Sequence, residues 1–222
     1  GNLKLDKLKN SNNLNNNKIY NNFFGSGFNS QYESTLVNHK DYEIWKCKHM
    51  GATAGSCVKS KGYYPAVIIS FKTKLATLNL EVLEGLNKAL DMALESNHAL
   101  IIYQKDLPHF SAGADLLTLA EIFLIQGEAE AAKVLENFQN TFLRLKYSNI
   151  PVIAAVRGYA FGGGCELVLH CDYAVAAINS YIGLVEAGVG LIPAAGGCTS
   201  IARILSNKLD NLRLNSNASA GV

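Results

Sequence analysis

Apolar residues in the middle of this chain fall into short β-branched runs separated by longer stretches with helical spacing. The short runs Ala66–Phe71, Ala99–Tyr103 and 151–156 predict buried strands, because β-branched and other apolar residues cluster there between turn signals. Over Leu80–Ser96 and Glu128–Lys146, apolar residues recur every three or four positions. This spacing predicts two amphipathic helices.

The second half of the chain continues the alternation of strand and helix. Segment 109–115 is rich in small residues and predicts a loop that enters a helix. Three glycines at 162–164 interrupt the chain before a short predicted helix at about 165–170, and 173–177 is a candidate strand. Strands that alternate with helices predict an α/β architecture with a mostly covered sheet.

The first sixty residues differ in character from the rest. Residues 1–30 contain ten asparagines and four lysines, bury little apolar surface, and are interpreted as an Asn-rich leader or linker. Residues 31–62 are interpreted as a connecting segment, although Tyr42, Ile44 and Trp45 are able to pack. The main domain is therefore expected to cover residues 63–222.

Composition excludes several classes of protein. The chain of 222 residues has 20 Lys and Arg against 18 Asp and Glu, which gives no overall attraction to nucleic acid or to an anionic membrane. Its five cysteines include no C-x-x-C pair, and this pattern predicts a reducing, cytoplasmic location rather than a disulfide framework or a zinc site. The most apolar stretch, 174–192, is interrupted by polar residues and glycines, so no membrane span is expected.

Two glycine-containing loops are candidates for close approach to a ligand. Gly162, Gly163 and Gly164 leave the backbone N–H groups of a helix start accessible, which suits an oxyanion or a phosphate. Segment 111–115 (SAGAD) has the same small-residue character, and Asp115 is suited to a helix N-terminus. Two such loops, each offering one N–H, would form an oxyanion hole. The alternative is a tight helix–strand turn and an ordinary capped helix.

Two glutamates stand out because their neighbours are apolar. Glu166 follows the three glycines directly, and Glu186 is the only charged residue between Asp172 and Arg203. Burial raises the pKa of a carboxyl group, and a second carboxylate raises it further, so such a pair can divide acid and base roles. The structural alternative for Glu166 is a glutamate that complements the helix dipole. Twenty residues apart, the two can meet only through the fold.

Four segments together resemble the enoyl-CoA hydratase/isomerase (crotonase) superfamily. They are 110–115 (FSAGAD), 150–156 (IPVIAAV), 158–167 (GYAFGGGCEL) and 193–197 (PAAGG). Segment 181–193 (YIGLVEAGVGLIP) is most similar to the hydratase portion of bifunctional 3-hydroxyacyl-CoA dehydrogenase/enoyl-CoA hydratases. The resemblance implies a spiral of β-β-α units and hydration of 2-enoyl-CoA in fatty-acid β-oxidation.

The resemblance also implies roles for individual residues. The N–H groups of Ala114 and Gly163 match the oxyanion hole, while Glu166 matches the base and Glu186 the acid of hydratases. Residues Ala112, Gly113, Asp115, Gly162 and Gly164 fall in the substrate-binding loops. Isomerases of the family often keep only the second glutamate, so the presence of both favours hydration. The alternatives are a Δ3-Δ2 enoyl-CoA isomerase that uses Glu186 alone, and a non-catalytic acyl-CoA-binding fragment.

The same resemblance sets expectations for cofactors, partners and completeness. No metal or prosthetic group is expected, coenzyme A enters as part of the thioester substrate, and NAD only with an attached dehydrogenase domain. A homo-oligomer or a larger multifunctional chain is expected. Family members continue past segment 193–197 with helices, whereas 215–221 (NSNASAG) has the composition of a tail. The domain is therefore expected to lack its C-terminal helices.

Overall fold

Two sheets carry the fold. The computed structural model describes residues 36–46 and 66–219, with side chains up to residue 209. The main sheet consists of β1 (Val37–Asn38), β2 (Tyr42–Lys46), β3 (Ala66–Phe71), β4 (Ala99–Tyr103), β5 (Val152–Val156) and β7 (Tyr173–Ala176), in that spatial order. The smaller sheet pairs β6 (Tyr159–Phe161) with β8 (Tyr181–Gly183) in parallel. In the main sheet, β1 to β3 are antiparallel and β3, β4, β5 and β7 are parallel.

Five helices occur among the described residues. They are α1 (Leu80–Ser96), α2 (Leu116–Gln126), α3 (Glu128–Lys146), α4 (Gly163–Leu169) and α5 (Gly197–Ser219), with 3-10 turns at Lys74–Ala76 and Glu186–Val189. Helix α1 begins where the Asn79 side chain accepts a hydrogen bond from the Val82 N–H at 2.9 Å. It ends at Asn97, whose φ of 53° is the left-handed conformation common after helices.

The principal core contains side chains from the main sheet and from α1 and α3. Every residue of β3 is buried, as expected for a central strand that is covered on both faces. Helix α1 contributes one apolar face and α3 contributes Phe138, Phe142 and Leu145. A separate cluster around Trp45 and Tyr103 is also buried. Burial of these apolar side chains stabilises the main sheet. The loops of the candidate site follow the ends of its strands.

A second line of parallel contacts runs beside the main sheet. Isolated bridges join Leu78 to Ala114 and Ser111 to Ala160, and β6 continues this line to β8. Each main-sheet strand from β3 onward is thus followed by a short extended segment and then a helix. This is a spiral of β-β-α units, and it brings the starts of successive helices to one side of the molecule.

The predicted elements agree with the structure for most of the described chain. Helix Leu80–Ser96, helix Glu128–Lys146, strand Ala66–Phe71 and strand Ala99–Tyr103 are confirmed with the predicted bounds. Helix α4 begins at Gly163, two residues earlier than predicted, because the glycines form its first turn instead of preceding it. The prediction of a tail from residue 215 is wrong as far as Ser219, because α5 continues to that residue.

The predictions for the start of the chain are tested only in part. Residues 37–46, which were placed in a connecting segment, form β1 and β2 and join the main sheet through β3. Tyr42, Ile44 and Trp45 are all buried there. The Asn-rich segment 1–30 and the remainder of 31–62, apart from residue 36, lie outside the described residues.

Candidate active site

The loop from Phe110 to Asp115 has one backbone N–H without an acceptor. The N–H groups of Phe110, Ser111, Ala112 and Asp115 donate to carbonyls of Arg157, Tyr159, Leu75 and Leu78, respectively. The N–H of Gly113 donates to the Ser111 Oγ at 3.1 Å. Ala114 is the exception, since its N–H has no partner among the described residues. An unpaired backbone N–H is costly unless a ligand or water accepts from it.

Gly163 places a second such N–H beside the first. As the first residue of α4, Gly163 has no intrahelical acceptor for its N–H, and none is provided elsewhere in the described chain. A Cβ added to Gly163 would lie 3.3 Å from the Ala114 nitrogen, and one added to Gly113 would lie 3.2 Å from the Gly163 nitrogen. The two loops are therefore in contact through their backbones, and the absence of side chains at these glycines allows this close approach.

The other residues of the two loops hold this geometry. Gly113 and Gly162 have φ of 100° and 50°, values in the left-handed region that favours glycine. Gly164 packs on Ser111, where an added Cβ would lie 2.8 Å from the Ser111 Cβ. The Asp115 carboxylate accepts hydrogen bonds from the Thr118 N–H and hydroxyl, which caps α2. The Ala112 N–H donates to the Leu75 carbonyl, so in the described structure this residue also helps to hold the shape of the loop.

Glu166 is buried and held by two backbone amides. Its side chain lies in the first turn of α4 and the residue is 3% exposed. Its Oε1 accepts hydrogen bonds from the Ala195 N–H at 2.9 Å and the Gly197 N–H at 2.8 Å. Burial raises the pKa of Glu166, the two amide hydrogen bonds oppose this rise, and the charge of Glu186 adds to it. The carboxylate is thus fixed in place with a pKa above its usual value.

Glu186 lies close to the N-terminus of the same helix, α4. Its Oε1 is 3.3 Å from the position of a Cβ on Gly162, which directly precedes α4. Its Oε2 is buried and has no hydrogen-bond partner among the described atoms. Burial raises the pKa of the Cys165 thiol to about 11, and the charges of Glu186 and Glu166 contribute to this rise. The fold therefore brings the two carboxylates close enough for their charges to interact, at the start of the helix whose first residue, Gly163, has an N–H group with no acceptor among the described residues.

Sequence reasoning gave no role to several residues that build this site. Ala195 and Gly197 were noted only as part of a motif, although their N–H groups hold Glu166. Ser111 is fully buried and donates a hydrogen bond from its hydroxyl to the Ala76 carbonyl at 2.7 Å. The two glycines within segment 193–197 were the available signal, because glycines after a proline often mark a backbone that contacts another group.

No metal-binding cluster of three or more His, Cys, Asp or Glu residues occurs in the described part of the chain. Within residues 36–46 and 66–219, no helix combines the length and the apolarity needed to cross a membrane.

Comparison with known proteins identifies the family. Residues 66–212 match the enoyl-CoA hydratase/isomerase family. The chain belongs to this family. A crystal structure of enoyl-CoA hydratase from Thermoplasma volcanium is similar, with a TM-score of 0.57 and 30% identity, over 62% of this chain and 55% of that one. The crotonase-type fold predicted from the sequence is thereby confirmed.

Two curated relatives are multifunctional or dehydrogenase proteins. The Rickettsia felis protein named "Putative fatty acid oxidation complex trifunctional enzyme" is 40% identical over 139 residues, which are 63% of this chain and 19% of that protein. The Bacillus subtilis protein named "Probable 3-hydroxyacyl-CoA dehydrogenase" is 34% identical over 173 residues, which are 75% of this chain and 21% of that protein. The chain therefore spans about a fifth of the length of these relatives.

Proposed function

We propose that this chain carries an enoyl-CoA hydratase site, which adds water across the 2,3 double bond of a 2-enoyl-CoA. The observation that supports this proposal best is that two electrostatically coupled glutamates lie at the start of α4, where two neighbouring backbone N–H groups have no acceptor in the described chain. Hydration needs these parts, because it requires a base for water, an acid for C2 and a stabiliser for the thioester oxygen.

The N–H groups of Ala114 and Gly163 act on the thioester oxygen. Addition of water at C3 shifts electrons through the conjugated system onto this oxygen, which becomes enolate-like. Two fixed donors stabilise the negative charge where it develops, and the loss of one such donor typically costs about 10²–10³ in kcat. The loops need no rearrangement, because the glycines already hold the two N–H groups side by side.

Glu166 acts as the base and Glu186 as the acid. Glu166 removes a proton from water, and the water oxygen bonds to C3. Glu186 delivers a proton to C2, so that the hydroxyl group and the hydrogen of one water are added across the double bond. Two amide hydrogen bonds favour the charged form of Glu166. Glu186 has a buried oxygen free to contact the water or substrate. The proton taken by Glu166 returns to Glu186 before the next turnover.

The place of this reaction in metabolism is part of the proposal. Hydration of a 2-enoyl-CoA yields a 3-hydroxyacyl-CoA, the substrate class in the name of the Bacillus subtilis relative. We therefore place the site in fatty-acid β-oxidation and in a larger multifunctional protein, where NAD would serve an attached dehydrogenase. Exposed apolar residues of α2, with Leu117, Leu124 and Ile125 at 85%, 79% and 73% exposure, support an assembly with further protein. A cytoplasmic location remains a prediction from the cysteine pattern.

Glu166→Gln tests the proposal against its alternatives. The loss of ultraviolet absorbance of crotonyl-CoA measures hydration, and conversion of a 3-enoyl-CoA to the conjugated isomer measures isomerisation. We expect wild-type hydration and a loss of at least about 10³-fold in E166Q, because a general base contributes up to about 10⁴-fold. Glu95→Gln, an exposed charge on α1, is the matched control and should keep wild-type activity.

Each other outcome supports a different function. Isomerisation that survives in E166Q would identify an isomerase that uses Glu186 alone. Binding of the thioester without consumption of either substrate would identify a non-catalytic acyl-CoA-binding chain.

A further inference from the structure

His170 is a buried imidazole that the proposed mechanism does not use. It lies directly after α4, one helical turn beyond Glu166, and is 3% exposed. Its ring packs against Phe142 of α3, with a distance of 5.6 Å between ring centroids. A buried histidine needs a hydrogen-bond partner to offset the loss of water, so the contacts of its two nitrogens define its role.

The Nδ1 atom contacts the backbone of Glu166. It lies 2.7 Å from the Glu166 carbonyl oxygen, which can only accept, so Nδ1 carries the hydrogen. Burial lowers the pKa of His170, the hydrogen bond to Glu166 opposes this, and the charges of Lys146 and Arg203 lower it further. The ring is therefore neutral near pH 7, with its hydrogen on Nδ1 and a lone pair on Nε2.

The Nε2–Cε1 edge of the ring contacts the loop that binds the Glu166 side chain. A Cβ added to Gly196 would lie 3.2 Å from both Nε2 and Cε1 of His170. Gly196 has a φ of 95° and stands between Ala195 and Gly197, the two residues whose N–H groups donate to the Glu166 carboxylate. The imidazole therefore bridges the backbone of Glu166 and the loop that holds its carboxylate.

We propose that His170 is a positioning residue that sets the orientation of the Glu166 carboxylate toward the substrate water. The bridge fixes both ends of the base, its main chain through Nδ1 and its carboxylate through the Gly196 loop. The inference rests on the proposed function in so far as Glu166 acts as the base. A displacement of about 1 Å is enough to cost about 10²-fold in rate, so a loosened loop should lower kcat more than it changes KM.

Two amide variants test the two contacts of the His170 ring one at a time. In His170→Asn the side-chain NH₂ occupies the position of Nδ1 and can still donate to the Glu166 carbonyl, whereas in His170→Gln it is displaced toward the position of Nε2. His170→Asn thus keeps the contact with the Glu166 carbonyl but loses the contact with Gly196, and His170→Gln does the reverse. Because each variant keeps only half of the bridge, we expect both to lower kcat of crotonyl-CoA hydration by about 10- to 100-fold with KM within about twofold. His39→Gln, on the far β1–β2 turn, is the control and should match wild type.

Two further measurements do not depend on activity. Amide hydrogen exchange at Ala195 and Gly197 should be faster in H170N, which loses the contact with Gly196, than in wild type or H170Q. Nitrogen NMR of wild-type His170 should show the neutral ring with hydrogen on Nδ1 at pH 7. Protein without hydratase activity would overturn the proposed function, while these two readouts would still test the role of His170.

Three results would overturn the inference. They are a wild-type ring that is charged or carries its hydrogen on Nε2, exchange at Ala195 and Gly197 that is unchanged in H170N, and wild-type kcat in both H170N and H170Q.

Discussion

Glu166 accepts a hydrogen bond at 2.8 Å from the N–H of Gly197, a residue 31 positions further along the chain. This contact joins the first turn of α4 to the first residue of α5. The position of the proposed base is therefore set by how two β-β-α units pack, not by its own helix. Because Oε1 has a second amide donor, the carboxylate is restrained at a buried place where a free charge would be costly.

The raised pKa of Glu166 predicts that the residue lowers stability at neutral pH. A carboxyl group whose pKa is higher in the folded than in the unfolded state binds more protons when folded, so stability falls as pH rises above the ordinary value of 4.5. Glu166→Gln removes this penalty, because glutamine cannot ionise. We expect E166Q to melt above wild type at pH 7, with the difference shrinking as the pH falls toward 4.

Calorimetry between pH 4 and pH 8 measures this effect. A change of 1 kcal/mol in unfolding free energy moves Tm by about 2–4 °C in a domain of this size, which is readily detected. Glu95→Gln serves as the control on an exposed face. An E166Q protein that melts below wild type at pH 7 would show that the two amide hydrogen bonds outweigh burial.

Gly163 offers a test of the proposed oxyanion hole that leaves the fold largely intact. A Cβ at this position would lie 3.3 Å from the Ala114 nitrogen and 3.5 Å from Leu78 Cδ1, and the backbone is not in the left-handed region. The methyl group of Gly163→Ala must therefore displace the Ala114 amide by a few tenths of an ångström. We expect kcat to fall about 10- to 100-fold, less than for complete loss of a donor, with a small change in Tm.

Gly188→Ala is the matched control for this variant. A Cβ on Gly188 would have no described atom within 4 Å, and its backbone is likewise compatible with alanine. It should keep wild-type kcat and Tm. Wild-type kcat in G163A would contradict the assignment of the Gly163 N–H to the oxyanion hole.

Ser111 should stabilise the fold through the same loop. Its hydroxyl donates to the Ala76 carbonyl at 2.7 Å and accepts from the Gly113 N–H at 3.1 Å. Ala76 is itself strained, with a φ of 52°. Ser111→Ala leaves both backbone groups unpaired in the interior, which costs about 1–3 kcal/mol, so Tm should fall by several degrees.

Denaturant unfolding of S111A provides the measurement, with Ser148→Ala for comparison. Ser148 also donates to a carbonyl, that of Ile150 at 2.9 Å, but it is only half-buried. Water can replace that bond, so S148A should cost less than S111A. Equal losses in the two variants would indicate that burial of the Ser111 hydroxyl is unimportant.

The sequence predicted the long elements well because each is determined by its own periodicity. Helix Leu80–Ser96 buries the residues that recur at helical spacing, and its asparagine caps stand at both ends. The three-residue strands β6 and β8 have no detectable period, and they exist because their backbones pair with each other. Helix α5 was not predicted, and its last turns were interpreted as a tail because Asn- and Ser-rich composition is typical of tails.

The candidate site was predictable as a set of residues but not as a geometry. The resemblance identified the loops and both glutamates. The glycines of segment 193–197 signalled a close backbone approach, but the group they approach was not predictable, since the bonds to Glu166 join residues 29 and 31 positions apart. The two contacts of the His170 ring were likewise not predictable from the sequence. Its nitrogens contact two backbones whose proximity is a property of the fold.

The electrostatic link between the two glutamates gives a final prediction. Burial is the largest cause of the raised pKa of Glu166, and the charge of Glu186 is a smaller one, while amide hydrogen bonds from Gly197 and Ala195 lower it. Glu186→Gln removes the charge and keeps the size of the side chain. The pKa of Glu166 should therefore fall in E186Q and yet stay above the ordinary value, because burial is unchanged.

A titration of the Glu166 side-chain carboxyl carbon by NMR measures this shift without any need for turnover. Glu130→Gln, which removes a distant exposed charge paired with Lys133, should leave the titration of Glu166 unchanged. In the wild-type protein, the same raised pKa predicts that kcat/KM for the proposed hydration falls on acidification at a pH above the usual glutamate range, since the proposed base must be charged. A Glu166 titration that is identical in wild type and E186Q would show that the two carboxylates do not interact, and the proposed division of base and acid roles between two neighbouring glutamates would fail.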